Sequence, residues 1–345
     1  MFEDDLWFAF LKLSNRKKLM LLDTHKDTNT IRNYLKDIKF IEGPMEPTKI
    51  DYNKLLENYL KSKTNLCIYG DKNYPTSLLE FEDSPSFLYY KGDISKINLY
   101  KNVAIIGARN STIYGKSVTR LIAKELVKQN INIISGLARG IDTIAHETAC
   151  DSNGYTCAVL GCGIDIIYPK ENWRLYDLIG QRGLILSEFL PGTMPLAYNF
   201  PQRNRIISGL SSLIVVTEAG EKSGTLNTVD SALKQNKEVY VVPGSILNKE
   251  SLGTNRLIRD GAGVITDIDD LLFKLGSNIP SKNKETVLLD EKENNLISLI
   301  SYNPIHIDEL KRITNIDIKH LYGVLFELQL KKEVICLSGN YYVKS

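Results

Sequence analysis

Six cations stand on short stretches rich in glycine and small hydroxyls. Arg109 follows Gly107-Ala108, Arg139 lies in Ser135-Gly136-Leu137-Ala138-Arg139-Gly140, and Lys170 follows Tyr168-Pro169. Arg203 and Arg205 share Phe200-Pro201-Gln202-Arg203-Asn204-Arg205, and Lys222 precedes Ser223-Gly224-Thr225. Fixed positive charge beside glycines that admit a close backbone is suited to holding phosphate rather than breaking bonds. The stretch from Ile133 to Asp142 is the most informative. An apolar run ends at Ser135, a loop with Gly136 and Gly140 follows, and a helix-like run begins at Ile141. Such a corner points backbone N–H groups and a helix dipole at one place, so the loop and Arg139 are expected to share one phosphate.

Other residues could support acid–base chemistry. His146 falls four residues after Asp142, on the same side of a helix, but no nucleophile stands near them in sequence, and a structural pairing is favoured. Glu218 with Ser223-Gly224-Thr225 supports an alternative reading as a nucleotide hydrolase, in which a carboxylate activates water at the ribose carbon of a nucleoside monophosphate. Against it, the cations outnumber what one phosphate needs. Arg203 and Arg205 could also be structural, paired with Glu188, Glu218 or helix C-termini.

These residues need elements to place them. Apolar runs at 103–106, 131–134, 157–160, 184–186, 213–216, 239–242 and 263–265 recur every 25 to 30 residues or so, with helix-like segments between most of them, which is the spacing of βαβ units. Their apolar character is nearly continuous, as in parallel strands buried on both faces. A doubly wound α/β domain is therefore expected over about 100 to 275. Each cationic stretch follows a run, so all belong at the carboxyl ends of strands, where open α/β sheets bind ligands. A rim of that kind favours a polyanion over a single small phosphate. Gly-x-Gly-x-x-Gly is missing after the first run, which disfavours NAD and FAD, and no cofactor is expected.

The chain has 345 residues, 43% hydrophobic and 24% charged, with a net charge of +2. That describes a globular protein without bulk charge to attract nucleic acid. No apolar run of membrane-spanning length occurs, the N-terminus is acidic rather than signal-like, and a cytoplasmic location is expected. Cys67, Cys150, Cys157, Cys162 and Cys336 fit no zinc spacing and are expected to be buried thiols.

The ordered motifs resemble the DNA-processing protein A family, also called Smf. They are Gly107-Ala108-Arg109 with Tyr114-Gly115, Ser135 to Asp142 with Ala145-His146, Gly161-Cys162-Gly163-Ile164-Asp165 with Tyr168-Pro169, Ser187-Glu188, Phe200 to Gly209, Glu218-Ala219 with Ser223-Gly224-Thr225, and Pro243-Gly244. The resemblance implies a Rossmann-like domain that binds single-stranded DNA, forms a homodimer and loads the RecA recombinase during natural transformation, without being an enzyme. The DNA-binding residues expected on these combined grounds are Gly107, Arg109, Ser135, Gly136, Arg139, Gly140, Lys170, Arg203, Arg205, Ser223, Gly224 and Thr225. Tyr114, Tyr168 and Phe200 are candidates to stack on bases.

The flanks are separate in character. Residues 1–60 read as a small helical module, with helices around Leu6 to Leu13, Ile31 to Ile38 and Tyr52 to Leu60. Residues 61–100 are a lead-in with β-prone runs at 66–69 and 87–90. A polar linker spans 276–290. Residues 291–345 show three helix-like segments, 294–300, 307–313 and 318–330, and a terminal ribbon, 334–337 with 341–343, which look like a winged helix. Cations and acids are equal in number there, and the third helix offers only Lys319 and His320 near its start. Duplex affinity should be low, and a protein-contact role is favoured.

Overall fold

The structure is a computed structural model that describes residues 2–37, 48–276, 291–331 and 333–344. Four helices come first: α1 (Phe2–Phe10), α2 (Asn15–His25), α3 (Thr28–Asp37) and α4 (Lys49–Ser62). Ile38, expected at the end of a helix, lies outside the described residues. Strands β1 (Asn65–Ile68) and β2 (Phe87–Gly92) follow. Then strands and helices alternate through β3 (Asn102–Gly107), α5 (Ile113–Lys128), β4 (Asn132–Ser135), α6 (Ile141–Asp151), β5 (Thr156–Val159), α7 (Trp173–Arg182) and β6 (Leu184–Ser187). The series continues with α8 (Asn199–Leu210), β7 (Leu213–Glu218), α9 (Thr225–Lys234), β8 (Glu238–Val241), α10 (Leu252–Arg259), β9 (Gly263–Val264) and α11 (Ile268–Lys274). All seven apolar runs of the α/β region are strands.

The sheet order is β1-β2-β6-β5-β4-β3-β7-β8-β9, parallel from β6 to β9, with β1 and β2 antiparallel at one edge. Alternate residues of each strand feed opposite faces. Val103 and Ile105 pack with Ile122 and Leu126 of α5 and Ala145 of α6, whereas Ala104 and Ile106 pack with Ile206 and Ile207 of α8 and Val229 of α9. The chain leaves β3 toward β4 on one side and returns through α8 to β7 on the other. The strand order therefore reverses between β3 and β7, and the crevice beyond their carboxyl ends is where such a sheet takes a ligand.

The N-terminal helices do not enclose a core of their own. Leu6, Phe8, Leu22, Ile31 and Leu35 belong to one apolar cluster with Tyr89, Ala158, Leu160 and Ile185 of the sheet and Ile179 of α7. The apolar face of α1 thus covers sheet that the α/β helices leave bare. Helix α2 was not expected; its charged sequence masks it, and the signal is Ser14, whose hydroxyl accepts the Lys17 N–H at 3.4 Å as an N-cap.

The C-terminal domain comprises α12 (Glu291–Leu299), β10 (Ile305–His306), α13 (Ile307–Thr314), α14 (Ile318–Leu330), β11 (Val334–Leu337) and β12 (Tyr341–Lys344). It has a separate core of Leu296, Leu310, Leu321, Leu325, Leu328 and Tyr342, and its small sheet runs β10-β12-β11. This is a winged-helix arrangement, with β10 as a strand the sequence reading lacked. Four cysteines are buried as expected; Cys336 is exposed, because it lies on the ribbon with its side chain away from the core.

Candidate nucleic-acid interface

A cleft of about 660 Å³ opens at the reversal point. Its walls come from the loops after β3 and β7, the first turn of α8 and the start of α9, and include Arg109, Asn110, Tyr168, Phe200, Lys222 and Asn227. A narrow crevice beside it joins Arg109 to Arg139, because β3 and β4 are adjacent parallel strands. The register of β3 against β7 shifts between Ile106 and Gly107, which re-aims the Gly107–Arg109 loop.

Arg109 is exposed, and among the described residues it makes no ion pair. Its guanidinium lies 5.7 Å from the centroid of Phe200, and Phe200 packs at 5.6 Å from half-exposed Tyr168. A cation beside two aromatic rings at a cleft mouth can hold a phosphate and present a face to a base. Arg139 is also exposed and donates to Glu171, itself exposed. Such surface pairs contribute little and exchange readily for another anion.

The floor beneath them differs from expectation in an instructive way. The N–H groups of Gly136 and Ala138 do not wait for a phosphate: they donate to Asp142 Oδ2 at 3.1 and 3.3 Å. Asp142 is a buried internal acceptor for the loop. Burial pushes its carboxyl up, while Arg203 and the two N–H donors pull it down. The loop is held open as well by shape. Gly140 has φ +75°, and a Cβ there would stand 2.5 Å from the Arg109 carbonyl, so the two loops meet backbone to backbone.

Arg203 and Arg205 are both engaged within the protein, as the structural alternative had it, although Arg203 also lines the cleft and the crevice beside it. Arg203 is 5% exposed. Its Nη1 donates to the carbonyls of Gly136, at 2.8 Å, and Val159, and its Nε donates to Asn204 Oδ1 at 3.1 Å. Burial lowers its pKa to about 10, so it remains a cation at neutral pH and faces Asp142. Gly136 is required here: a Cβ would sit 2.6 Å from the Arg203 Nη2. Arg205 points elsewhere, donating to Glu188 at 2.5 Å and lying 3.8 Å from Asp83. The two diverge because α8 is a helix, and residues two apart on a helix leave on opposite sides.

Ser135 is likewise structural, fully buried with its hydroxyl on the Ile105 carbonyl at 2.7 Å. Ser223 donates to Thr225 Oγ1 at 2.9 Å, and Thr225 donates to the Gly107 carbonyl at 3.0 Å, tying the β3 and β7 loops together. Gly107, Ser223, Gly224 and Thr225 do line the cleft. Lys170 is exposed at the start of a 3-10 turn (Lys170–Asn172) and does not line it.

The acid–base candidates are internal as well. His146 is fully buried, its Nδ1 bonds Thr156 Oγ1 at 2.7 Å rather than Asp142, and burial holds it neutral with a pKa near 3. Glu218 is 1% exposed, and its carboxylate accepts the Thr112 N–H at 2.8 Å and the Thr112 hydroxyl at 2.6 Å at the N-terminus of α5. Both oxygens are thus engaged at a helix start. Among the described residues no cluster of His, Cys, Asp and Glu could hold a metal, and no helix is long and apolar enough to cross a membrane.

Residues 65–276 match the family model described as DNA recombination-mediator protein A, and residues 280–340 match the DprA winged helix domain. The chain belongs to the DNA recombination-mediator protein A family. Among relatives in this family, the DNA processing protein DprA of Streptococcus pneumoniae is 44% identical over 203 residues, covering 59% of this chain and 71% of its own. Protein Smf of Escherichia coli is 42% identical over 280 residues, covering 78% and 74%. The X-ray structure of the S. pneumoniae protein superposes with a TM-score of 0.67 at 36% identity, over 78% of this chain and 95% of that one. The DNA processing protein A of Helicobacter pylori, whose structure is described for its single-stranded DNA binding mode, superposes with a TM-score of 0.57 at 35% identity, over 62% and 97%. The DNA-processing family resemblance, the mostly parallel α/β fold and the C-terminal winged helix of the sequence reading all stand.

Proposed function

We propose that the chain binds single-stranded DNA along the cleft at the β3–β7 reversal and loads RecA recombinase onto the bound strand during natural transformation, acting in the cytoplasm as a homodimer and not as an enzyme. The observation that carries this reading is Arg109: a permanent cation, unpaired among the described residues, beside Phe200 and Tyr168 at the mouth of the cleft. Arg139 and Lys222 extend the cationic path, and Arg203 and Asp142 keep the floor in place. Phosphate contacts carry no base information, so binding is weakly sequence-dependent. Single strands are preferred because stacking on the aromatic pair requires unpaired bases. The membership in a recombination-mediator family and the single-stranded DNA binding of the H. pylori relative support the same reading.

The test is a gel shift with single- and double-stranded oligonucleotides across a salt series, followed by RecA filament assembly on the bound strand. Equal affinity for duplex, or filament assembly unaffected by the protein, would overturn the corresponding half of the proposal. Sedimentation at micromolar concentration tests the homodimer.

A further inference from the structure

Helix α8 lines the cleft with Phe200 and Arg203, and it lines a second cavity, of about 560 Å³, with Gln202 and Arg205. The other walls come from α2, the start of β2 and the end of β6. The helical period of α2 turns Lys18, Leu19 and Leu22 inward together, so Lys18 is only 3% exposed and faces this cavity. Its Nζ donates to the Ala9 carbonyl at 2.7 Å, in the last turn of α1, and lies 4.6 Å from the centroid of Phe87. That carbonyl takes one of the three donors of an ammonium, and among the described residues Lys18 makes no ion pair. Ser86, 1% exposed, is on the same wall. Its N–H donates to Asn15 Oδ1 at 2.7 Å, but its buried hydroxyl has no partner among the described residues. Buried donors of this kind are costly unless something accepts from them.

The charges around the cavity select against a polyanion. Arg16, Lys18 and Arg205 are matched by Glu82, Asp83 and Glu188, and Arg205 is committed to Glu188 at 2.5 Å, with Asp83 at 3.8 Å. A nucleotide or a DNA backbone would meet three carboxylates, whereas a single negative charge matches the open donors of Lys18 and Ser86. Leu13, Phe87 and Phe189 make the rest of the lining apolar. We propose that this cavity binds a small organic monocarboxylate, its carboxylate accepting from Lys18 Nζ and Ser86 Oγ and its apolar tail packed on Leu13, Phe87 and Phe189. The site is separate from the DNA cleft and does not rest on the single-strand reading. Its volume falls in the range of small-molecule pockets, about 300–1,000 Å³. Burial holds the Lys18 ammonium down to about 7, with Glu188 opposing the shift, so roughly half of the free protein carries this proton at pH 7. A carboxylate against the amine favours its charged form, and binding at that pH therefore takes up about half a proton per ligand.

The probe is hexanoate, titrated by calorimetry into the full chain at pH 7 in buffers of different ionisation enthalpy. Hexanol keeps the tail without the charge, and inorganic phosphate keeps a charge without the tail; both serve as controls. Saturable binding of hexanoate with proton uptake is expected, and binding of either control weaker by about tenfold or more. Lys18→Met should weaken hexanoate on the order of 10- to 100-fold, the range for a hydrogen bond to a charged group, and should remove the proton uptake. Ser86→Ala, which keeps the lysine, should weaken it by about 2- to 10-fold, as for a neutral hydrogen bond. Circular dichroism establishes that each variant is folded before titration, and Ser86→Ala carries the test alone if Lys18→Met is not. Absence of saturable binding, or a hexanoate affinity unchanged in the folded variants, refutes the site. Phosphate binding as tight as hexanoate would make the cavity an inorganic-anion site and refute the monocarboxylate. Proton uptake that survives Lys18→Met would place the proton on Glu188 and refute the pairing with the amine.

Discussion

Arg203→Met separates a buried scaffold from a phosphate ligand. The guanidinium donates to two carbonyls and a side-chain amide, and it is the cation facing the buried Asp142. Methionine fills much of its volume but leaves the Gly136 and Val159 carbonyls without this donor and Asp142 without its counter-charge. Removing one member of a buried charge pair costs about 3–5 kcal/mol. For a domain of this size that corresponds to a fall in melting temperature of roughly 6–20 °C. Thermal unfolding by circular dichroism is the assay, with Asp142→Asn and the double variant completing a cycle. The two changes should be strongly non-additive, because each removes the same interaction. The single-strand salt slope of the folded Arg203→Met protein should match the parent's. A variant that melts normally but loses about 0.7 from the slope, the value for one phosphate contact, would show that Arg203 reaches the DNA and that the scaffold assignment is wrong.

Three further expectations follow from the same geometry. Gly140→Ala forces a side chain onto a positive φ and against the Ala108 and Arg109 carbonyls; it should weaken DNA binding and lower the melting temperature together, and a neutral outcome in both would contradict the close loop contact. Glu218→Ala removes the acceptor of two hydrogen bonds from Thr112 at the start of α5; it should lower stability by about 1–2 kcal/mol, as lost helix caps do, while affinity for single strands measured on folded protein stays unchanged. Burial lowers the Lys18 ammonium from 10.5 to about 7, so between those values the unfolded chain binds more protons and stability from this group rises with pH; melting curves from pH 7 to 9.5 should show this gain in the parent and not in Lys18→Met, and identical slopes would refute it.

Much of the fold was legible because a buried parallel strand has to be apolar at nearly every position. All seven runs from Val103 to Ile265 could be read on that ground, and the motifs at their ends pointed to the carboxyl ends of the strands, where the cleft lies. Orientation was harder to read. Arg203 and Arg205 look like equal members of a cationic cluster in a linear reading, yet the helical period from Asn199 to Leu210 sends them to opposite sides; that period was available in the sequence. Asp142 as acceptor for the Gly136–Ala138 loop was not, because it depends on how far the chain folds back after β4. The union of the N-terminal helices with the sheet was hidden too, since an apolar stripe on α1 shows that it is buried but not against what.

On the proposed reading, a few exposed cations over a hydrogen-bonded floor hold the strand. Arg109, Arg139 and Lys222 make at most about three phosphate contacts, so the logarithm of affinity should fall with the logarithm of salt concentration with a slope near −2 per chain, using about 0.7 per contact. The decisive measurement is fluorescence anisotropy of a short oligo(dT) with the parent and Arg109→Ala across a salt series. Expected are a loss of about 1–3 kcal/mol in binding, the range for a charge-assisted hydrogen bond and its unpaired partner, a slope shallower by about 0.7, and an unchanged melting temperature. An Arg109→Ala protein that binds the oligonucleotide with the parent's affinity and the parent's slope would contradict it.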